Sequence, residues 1–342
     1  MRDRQLPLFD DDAPADGPPR RAAPVEPAVV AERVRSIGLA LPPAIRLGAS
    51  SWSFPGWTGL VFAPRDGRPE SESRLAREGL AAYARHPLLR TVSLDRTFYA
   101  PLTAAEFTGY AAQVPDDFRF VVKAPAAFTD PVIRRSGSGE PARDNATFLD
   151  AAAAVAAFVR PAVVGLGAKA GPLVFQFPPL GRRLLADVPR LVARLAAFAA
   201  AIRGEVPGAI VALEPRDPVL AVPALAAALA DSGAVPCLAV HARMPGAAEQ
   251  AAAFGLDGPA PRGPLVARWN LHAGRGYEEA RADYFPFDRL VEPDEPTRAA
   301  LARLAALRAA SGDDVFITIN NKAEGSAPLS VLALAERIVA QR

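Results

Sequence analysis

The sequence predicts an α/β fold, a single (β/α)8 barrel of the TIM type, preceded by a disordered N-terminal tail. Three observations predict it: eight short apolar runs, helix-like stretches between them, and a rhythm that fills roughly 300 residues. Strands alternating with helices imply a parallel sheet. Eight such repeats suit a closed barrel better than the alternative, an open doubly wound sheet.

Residues 1–27 hold six prolines, six acids and four arginines. Their apolar cluster is Leu6, Leu8 and Phe9, too little surface to offset chain entropy, so they are expected to be disordered. The barrel domain then occupies 28–342, opening with a short helix from Val29 to Ile37. The strand-like runs are Ile45–Ala49, Thr91–Leu94, Phe118–Val122, Leu173–Phe177, Ile210–Leu213, Val235–Val240, Leu265–Trp269 and Val315–Ile319. Helix-like stretches follow at Ser73–Arg85, Ala104–Gln113, Asn145–Val159, Leu184–Ile202, Pro223–Asp231, Thr297–Ala310 and Leu329–Val339, with Ala247–Phe254 the least regular. Thr103-Ala-Ala-Glu106 reads as a capping box where the second crossover helix must begin.

Composition excludes several classes. Of 342 residues, 50% are hydrophobic and 22% charged, which is globular and neither disordered nor fibrous. Cys237 stands alone, so an intramolecular disulfide and a thiolate metal cluster are both excluded. Three histidines, His86, His241 and His272, are too few for a multinuclear zinc site. The net charge of +2 is too mild to announce a polyanion partner. The basic residues are 36 arginines and three lysines (Lys123, Lys169 and Lys322), a bias spread so evenly that it localises nothing. No run of about 20 uncharged apolar residues appears, so no membrane contact is expected. The first residues lack the apolar stretch of a secretory signal, and the cytoplasm is the expected compartment.

Barrel active sites sit where strands end. Here those ends carry Ser50, Ser51 and Trp52; Asp95, Arg96, Thr97 and Tyr99; Lys123; Gln176; Glu214, Arg216 and Asp217; His241; Arg268, Asn270 and His272; Asn320, Asn321 and Lys322. Every strand finishes in hydrogen-bonding or charged groups, which describes a polar cup. Lys123, Arg216 and Arg268 would repel one another there without carboxylates or an anionic ligand. An anion in the barrel mouth and a closed network of ion pairs are the two solutions. Glu214 is the candidate acid or base: burial would raise its pKa and the neighbouring arginines would lower it. Asp95 and Asp217 are the further catalytic candidates. The orienting and ligand-binding candidates are Asn270, His272, Asn320, Asn321, Trp52, Tyr99, Gln176 and His241. Glu214 with His241 and His272 would make a two-histidine, one-carboxylate metal set, but a hydrogen-bonded His241 is the simpler reading, and neither metal nor cofactor is expected. Trp52, Phe54, Trp57 and Tyr99 crowd the first two βα loops, either to stack on a ligand or to plug the barrel top. The long crossover from Ala273 to Pro296, with its own aromatics, is either a lid or a packed connection.

These segments in sequence resemble the domain-of-unknown-function 72 family, the YecE-like proteins, from about Ile45 to Ile338. The matching pieces are Gly48-Ala-Ser-Ser-Trp52 with Pro55-Gly-Trp57, Thr97-Phe-Tyr99, Phe120-Val-Val-Lys123, Gly171-Pro-Leu-Val-Phe-Gln-Phe-Pro-Pro179, Leu213-Glu-Pro-Arg216, the Arg268 segment and Asn320-Asn321. The resemblance implies a TIM barrel with a pocket and supplies no reaction. It also implies a second-strand glutamate where this chain has Ser93, an asparagine where it has Asp95, and a histidine where it has Asp217.

Gln5-Leu-Pro-Leu-Phe9 resembles the pentapeptide by which bacterial proteins bind the DNA sliding clamp. Leu6, Leu8 and Phe9 would fill apolar pockets, the Gln5 amide would fix register, and Pro7 would lower the ordering cost. The alternative is that this apolar patch docks on its own barrel. The expected function is a metal-independent binder or enzyme for a phosphate-bearing ligand, nucleic acid foremost, recruited to the clamp by its tail. The rivals are an enzyme acting on a sugar phosphate or carboxylate, and a non-catalytic ligand-binding barrel.

Overall fold

Eight parallel strands, paired in chain order, close into a barrel. They are β1 (Ile45–Ala49), β2 (Thr91–Leu94), β3 (Arg119–Lys123), β4 (Ala170–Phe177), β5 (Val211–Pro215), β6 (Val235–Val240), β7 (Leu265–Trp269) and β8 (Val315–Ile319). The computed structural model describes residues 23–133, 143–258 and 263–341. A two-stranded antiparallel pair, Val132–Ile133 with Arg143–Asp144, lies outside the barrel, between β3 and β4.

Side chains alternate across each strand, so every second residue faces the barrel axis. Val121, Val174, Ala212, Cys237, Val266 and Phe316 form a separate buried cluster, the apolar layer inside the barrel. Two residues further along the same strands stand Lys123, Gln176, Glu214, Ala239, Arg268 and Thr318. The layer nearest the strand C-termini is therefore mostly polar, and it forms the floor of the mouth. The outward faces pack against helices, with Leu47, Phe120, Phe175, Leu213, Leu238 and Ile317 in the large core.

Those helices follow from caps and apolar stripes. Thr103 and Glu106 form the expected capping box, with Thr103 N donating to Glu106 Oε2 at 2.8 Å and Glu106 N to Thr103 Oγ1 at 3.2 Å. The crossover between β3 and β4 spans Ala151–Lys169, the one helix among the described residues long and apolar enough to cross a bilayer. It packs Phe158 against Phe175 of β4 and belongs to the barrel's helical layer. Pro161 removes one N–H from it, and a π-helical turn at Val155–Val159 takes up the irregularity. The short sixth crossover helix, Ala247–Ala253, carries Gln250, which donates to and accepts from the Ala239 backbone, both at 3.0 Å. An amide side chain thus completes the hydrogen bonding of β6 next to His241.

Several boundaries change: β3 and β5 each begin one residue later than the apolar runs that predict them, and the crossover helix before β4 begins at Ala151, not Asn145. The first helix runs Glu32–Ala40 rather than 29–37. Strand β4 starts three residues earlier, because Gly171 lies where a Cβ would come within 2.6 Å of the Phe120 carbonyl and so admits close pairing with β3. The tail boundary at 27 is also too late. Val25 is buried, Pro27 bridges to Phe62, Ala28 N donates to Val61 O at 2.9 Å and Ala63 N to Glu26 O at 2.9 Å. A single valine among prolines carries no pattern in the sequence, yet it fills a socket beneath the loop after β1. The clamp-like residues Gln5, Leu6, Leu8 and Phe9 lie outside the described residues.

Burying one valine contributes about 1.5–3 kcal/mol. A chain beginning at residue 29 should therefore be less stable than one beginning at residue 23, by about 2 kcal/mol in urea denaturation. Equal midpoints and slopes would show that the Val25 contact contributes nothing.

Candidate functional site

The floor of the mouth is built on one cation. Arg268, on β7, is 2% exposed, and a guanidinium with that little access to water must be paired. Its Nη1 donates to Glu214 Oε2 at 2.8 Å. Its Nη2 reaches both Asp95 oxygens, at 2.9 and 2.7 Å. Glu214 Oε1 in turn accepts from Arg216, Nε at 2.7 Å and Nη2 at 2.5 Å. The chain Arg216–Glu214–Arg268–Asp95 thus crosses the barrel from β5 through β7 to the end of β2. Ser93 Oγ donates to Asp95 Oδ1 at 2.6 Å and orients it.

Burial raises the Glu214 pKa, but Arg216 and Arg268 outweigh it, and the net direction is down. That settles the direction the sequence left open. A carboxylate with both oxygens held by guanidinium groups fixes charge and position; it is a poor proton shuttle. Burial alone would lower the Arg268 pKa, but Asp95 and Glu214 reverse this, so it stays protonated.

Lys123, at the end of β3, lies outside this chain of pairs. Its Nζ sits 3.6 Å from the centre of the Phe98 ring and has no carboxylate within ion-pair distance among the described residues. Burial pushes the ammonium down to about 8, Arg268 and Arg216 add to the push, and Asp95 and Glu214 oppose it. Burial likewise brings His241 down to about 4, with Arg216 contributing, so the imidazole is neutral at pH 7.

A cavity of about 490 Å³ opens above these groups, lined by Asp95, Tyr99, Lys123, Gln176, Arg216, His241, Arg268, Asn270, Tyr277 and Asn320 among others. A second lobe of about 390 Å³ continues past Gln176, Arg216 and His241 to Arg243 and Arg275. Tyr99 is 87% exposed and Tyr277 54% exposed, both on the rim. Asn270 Nδ2 donates to the Arg268 carbonyl at 3.1 Å, and Asn320 Nδ2 to Ser50 Oγ at 2.7 Å. At the opposite end of the barrel, a cavity of about 380 Å³ includes Arg90. The Arg90 guanidinium is already bound there to carbonyls, Gly38 and Pro42 among them, which leaves it little capacity for a ligand.

Other candidates serve the scaffold. Asp217 is buried and accepts from Leu180 N at 2.8 Å, tying the loops after β4 and β5. Asn321 is buried, its Oδ1 accepting from Trp57 Nε1 at 3.1 Å and from Ala327 N at 2.9 Å. Trp52 is buried with its Nε1 donating to the Leu75 carbonyl at 3.0 Å, and with Trp57 it packs in the large core outside the barrel, Trp57 against Tyr83. His272 turns back to the Ala273 carbonyl at 2.9 Å and is not part of the cavity wall. Glu214 has no free oxygen for a metal, and no group of three His, Cys, Asp or Glu able to hold one occurs among the described residues. The crossover after β7 is packed. Its helix, Tyr277–Tyr284, leads to Phe287, which meets Phe54 edge-on at 5.7 Å, and Gly56 leaves room for the Pro286 carbonyl that a Cβ would meet at 1.8 Å. Under it Lys322, one of the strand-end groups the sequence placed in the cup, puts Nζ 4.3 Å from the centre of the Tyr277 ring and so braces the rim.

Fold and site define a closed parallel barrel with a basic cavity at the C-terminal ends of its strands. A profile of the family described as "Protein of unknown function DUF72" matches residues 46–342, and the chain belongs to that family. A DUF72 family protein from Enterococcus faecalis V583, in a 3.10 Å crystal structure, aligns with a TM-score of 0.58 at 17% identity, over 86% of this chain and 95% of its own. A 2.52 Å structure from the same source gives 0.50 at 15% identity, over 85% and 96%. These likenesses show the shared fold. No curated protein matches the chain. Ser93 stands where the family resemblance implies glutamate, and Asp95, two residues on, is the carboxylate that meets Arg268.

Removing one member of a buried ion chain leaves its partners charged and unpaired, at about 3–5 kcal/mol. Arg268→Met should destabilise the barrel by about that much in chemical denaturation. Adding Glu214→Leu should recover part of the loss, because the orphaned carboxylate is then gone. A neutral single variant would refute the pairing.

Proposed function

We propose that the barrel mouth binds an anionic ligand through a phosphate group, with nucleic acid as the favoured source. The observation that carries this reading is a charge imbalance. Among the described residues Lys123, Arg216 and Arg268 meet two carboxylates in the cavity, Asp95 and Glu214, and neutral His241 adds nothing. Three cations against two carboxylates leave one positive charge in a partly desolvated cavity, where an anion is worth more than in water. Tyr99 and Tyr277 support nucleic acid, since exposed rings above cations suit a base stacked beside its phosphate. Whether the ligand is transformed or only held, the same groups bind it.

Lys123→Gln removes the unpaired charge without breaking an ion pair. Binding of a phosphate-bearing ligand, followed by calorimetry, should weaken by about tenfold, or ~1.4 kcal/mol, with little change in melting temperature. In the unaltered protein, affinity should be full below pH 8 and fall as pH rises through about 8, where Lys123 loses its proton. Equal affinity in the variant and no pH dependence would refute the reading.

We propose further that residues 5–9 recruit the protein to the DNA sliding clamp, supported by the spacing Gln5-Leu-Pro-Leu-Phe9. A peptide of residues 1–12 should bind the clamp of the same organism with micromolar affinity, about −8 kcal/mol. Replacing Leu8 and Phe9 by Ala should abolish the interaction. Absence of binding by peptide and full chain at hundreds of micromolar would remove the clamp from the account.

A further inference from the structure

We propose that Lys123 is a nucleophilic amine that forms an imine with an aldehyde carried beside a phosphate in the ligand. The proposal deepens the anion-binding reading and rests on it for the ligand's charge, but not for the amine's chemistry. Its grounds are geometric. Lys123 lines the mouth cavity, and its Nζ is neither ion-paired nor hydrogen-bonded among the described residues, lying instead on the face of Phe98 at 3.6 Å. An anion clamp alone has no need of this arrangement, because Arg216 and Arg268 beside it offer better-shaped donors to a phosphate. An amine held out of ion-pair contact, desolvated and next to a second cation is how proteins activate lysine for attack on carbonyl groups.

The groups facing it push the same way on balance. Burial and the Arg268 and Arg216 charges favour the neutral amine, Asp95 and Glu214 oppose them, and the resulting pKa of about 8 leaves a useful fraction unprotonated near neutrality. In the step proposed, the Nζ lone pair forms a bond to the carbonyl carbon and the carbon–oxygen bond breaks. The oxygen leaves as water, taking one proton from the nitrogen and one from the medium, and a protonated imine remains. No oxidant or reductant is consumed. The phosphate of the same ligand would lie against Arg216 and Arg268, which fixes the carbonyl near the amine. An aldehyde beside a phosphate occurs in an abasic nucleotide of DNA and in a free aldose phosphate.

The chain supplies its own controls, because it has three lysines. Lys169 Nζ donates to the carbonyls of Ala111 and Val114, at 2.9 and 2.7 Å, and pairs with Asp116. Lys322 lies buried beneath the ring of Tyr277. The full-length protein is incubated with sodium cyanoborohydride and one of three probes, and labelled lysines are located by peptide mass spectrometry. The probes are a single-stranded oligonucleotide with one abasic site, glyceraldehyde 3-phosphate, and uncharged propionaldehyde. The expected result is an adduct on Lys123 at least tenfold faster than on Lys169 or Lys322, with one or both phosphate-bearing aldehydes. It should be slowed by inorganic phosphate and absent in Lys123→Arg, which keeps the charge without the nucleophile. Labelling by the oligonucleotide alone assigns the ligand to DNA, and labelling by the sugar phosphate alone to a metabolite. If inorganic phosphate binds but Lys123 labels no faster than the other lysines, the imine is refuted while the anion site stands. If propionaldehyde labels Lys123 as fast as the charged probes and phosphate gives no protection, the amine is upheld and the anion-binding reading fails.

Discussion

A guanidinium inside a β-barrel is the constraint on which the site depends. Arg268 cannot be left charged and unsolvated, so the barrel must bring carboxylates to it. Glu214 comes from β5 and Asp95 from the end of β2, so one residue ties together strands far apart around the ring. Glu214 needs a second cation in turn, and Arg216, two residues on, supplies it. The result is rigid and nearly neutral. Lys123, beside these pairs but outside them, is left with an unbalanced charge.

The paired groups hold position, and in the proposed binding Arg216 and Arg268 also face the phosphate; Lys123, the neutral His241 and the rim tyrosines line the same cavity. The scaffold beneath is indifferent to the ligand. An apolar layer containing Val174, Ala212 and Val266 fills the barrel, and the charged layer rests on it. By sequence position Asn321, Asp217 and Trp52 belong to the mouth, yet they fasten its loops to the neighbouring loops and helices.

Strands were legible because each is an apolar run between turn residues, and the second crossover helix because Thr103 and Glu106 cap it. The inner polar layer was legible too. The strand ends supply Lys123, Gln176, Glu214 and Arg268, and alternation from the apolar layer puts Ala239 and Thr318 on the same face. After a strand ends the period is lost, so sequence alone could not tell Asn320, on the cavity wall, from Asn321, which bonds Trp57. Val25 and Gln250 escaped notice for a related reason. Each acts through one long-range contact, and a single contact leaves no periodicity.

The most direct measurement of the central claim is an NMR titration of the lysine side chains, uncrowded because there are three. The Lys123 amine should titrate near pH 8 in the free protein and move upward when phosphate is added, since a bound anion stabilises the charged form. Titration of Lys123 near its ordinary value of 10.5, unmoved by phosphate, would contradict the account.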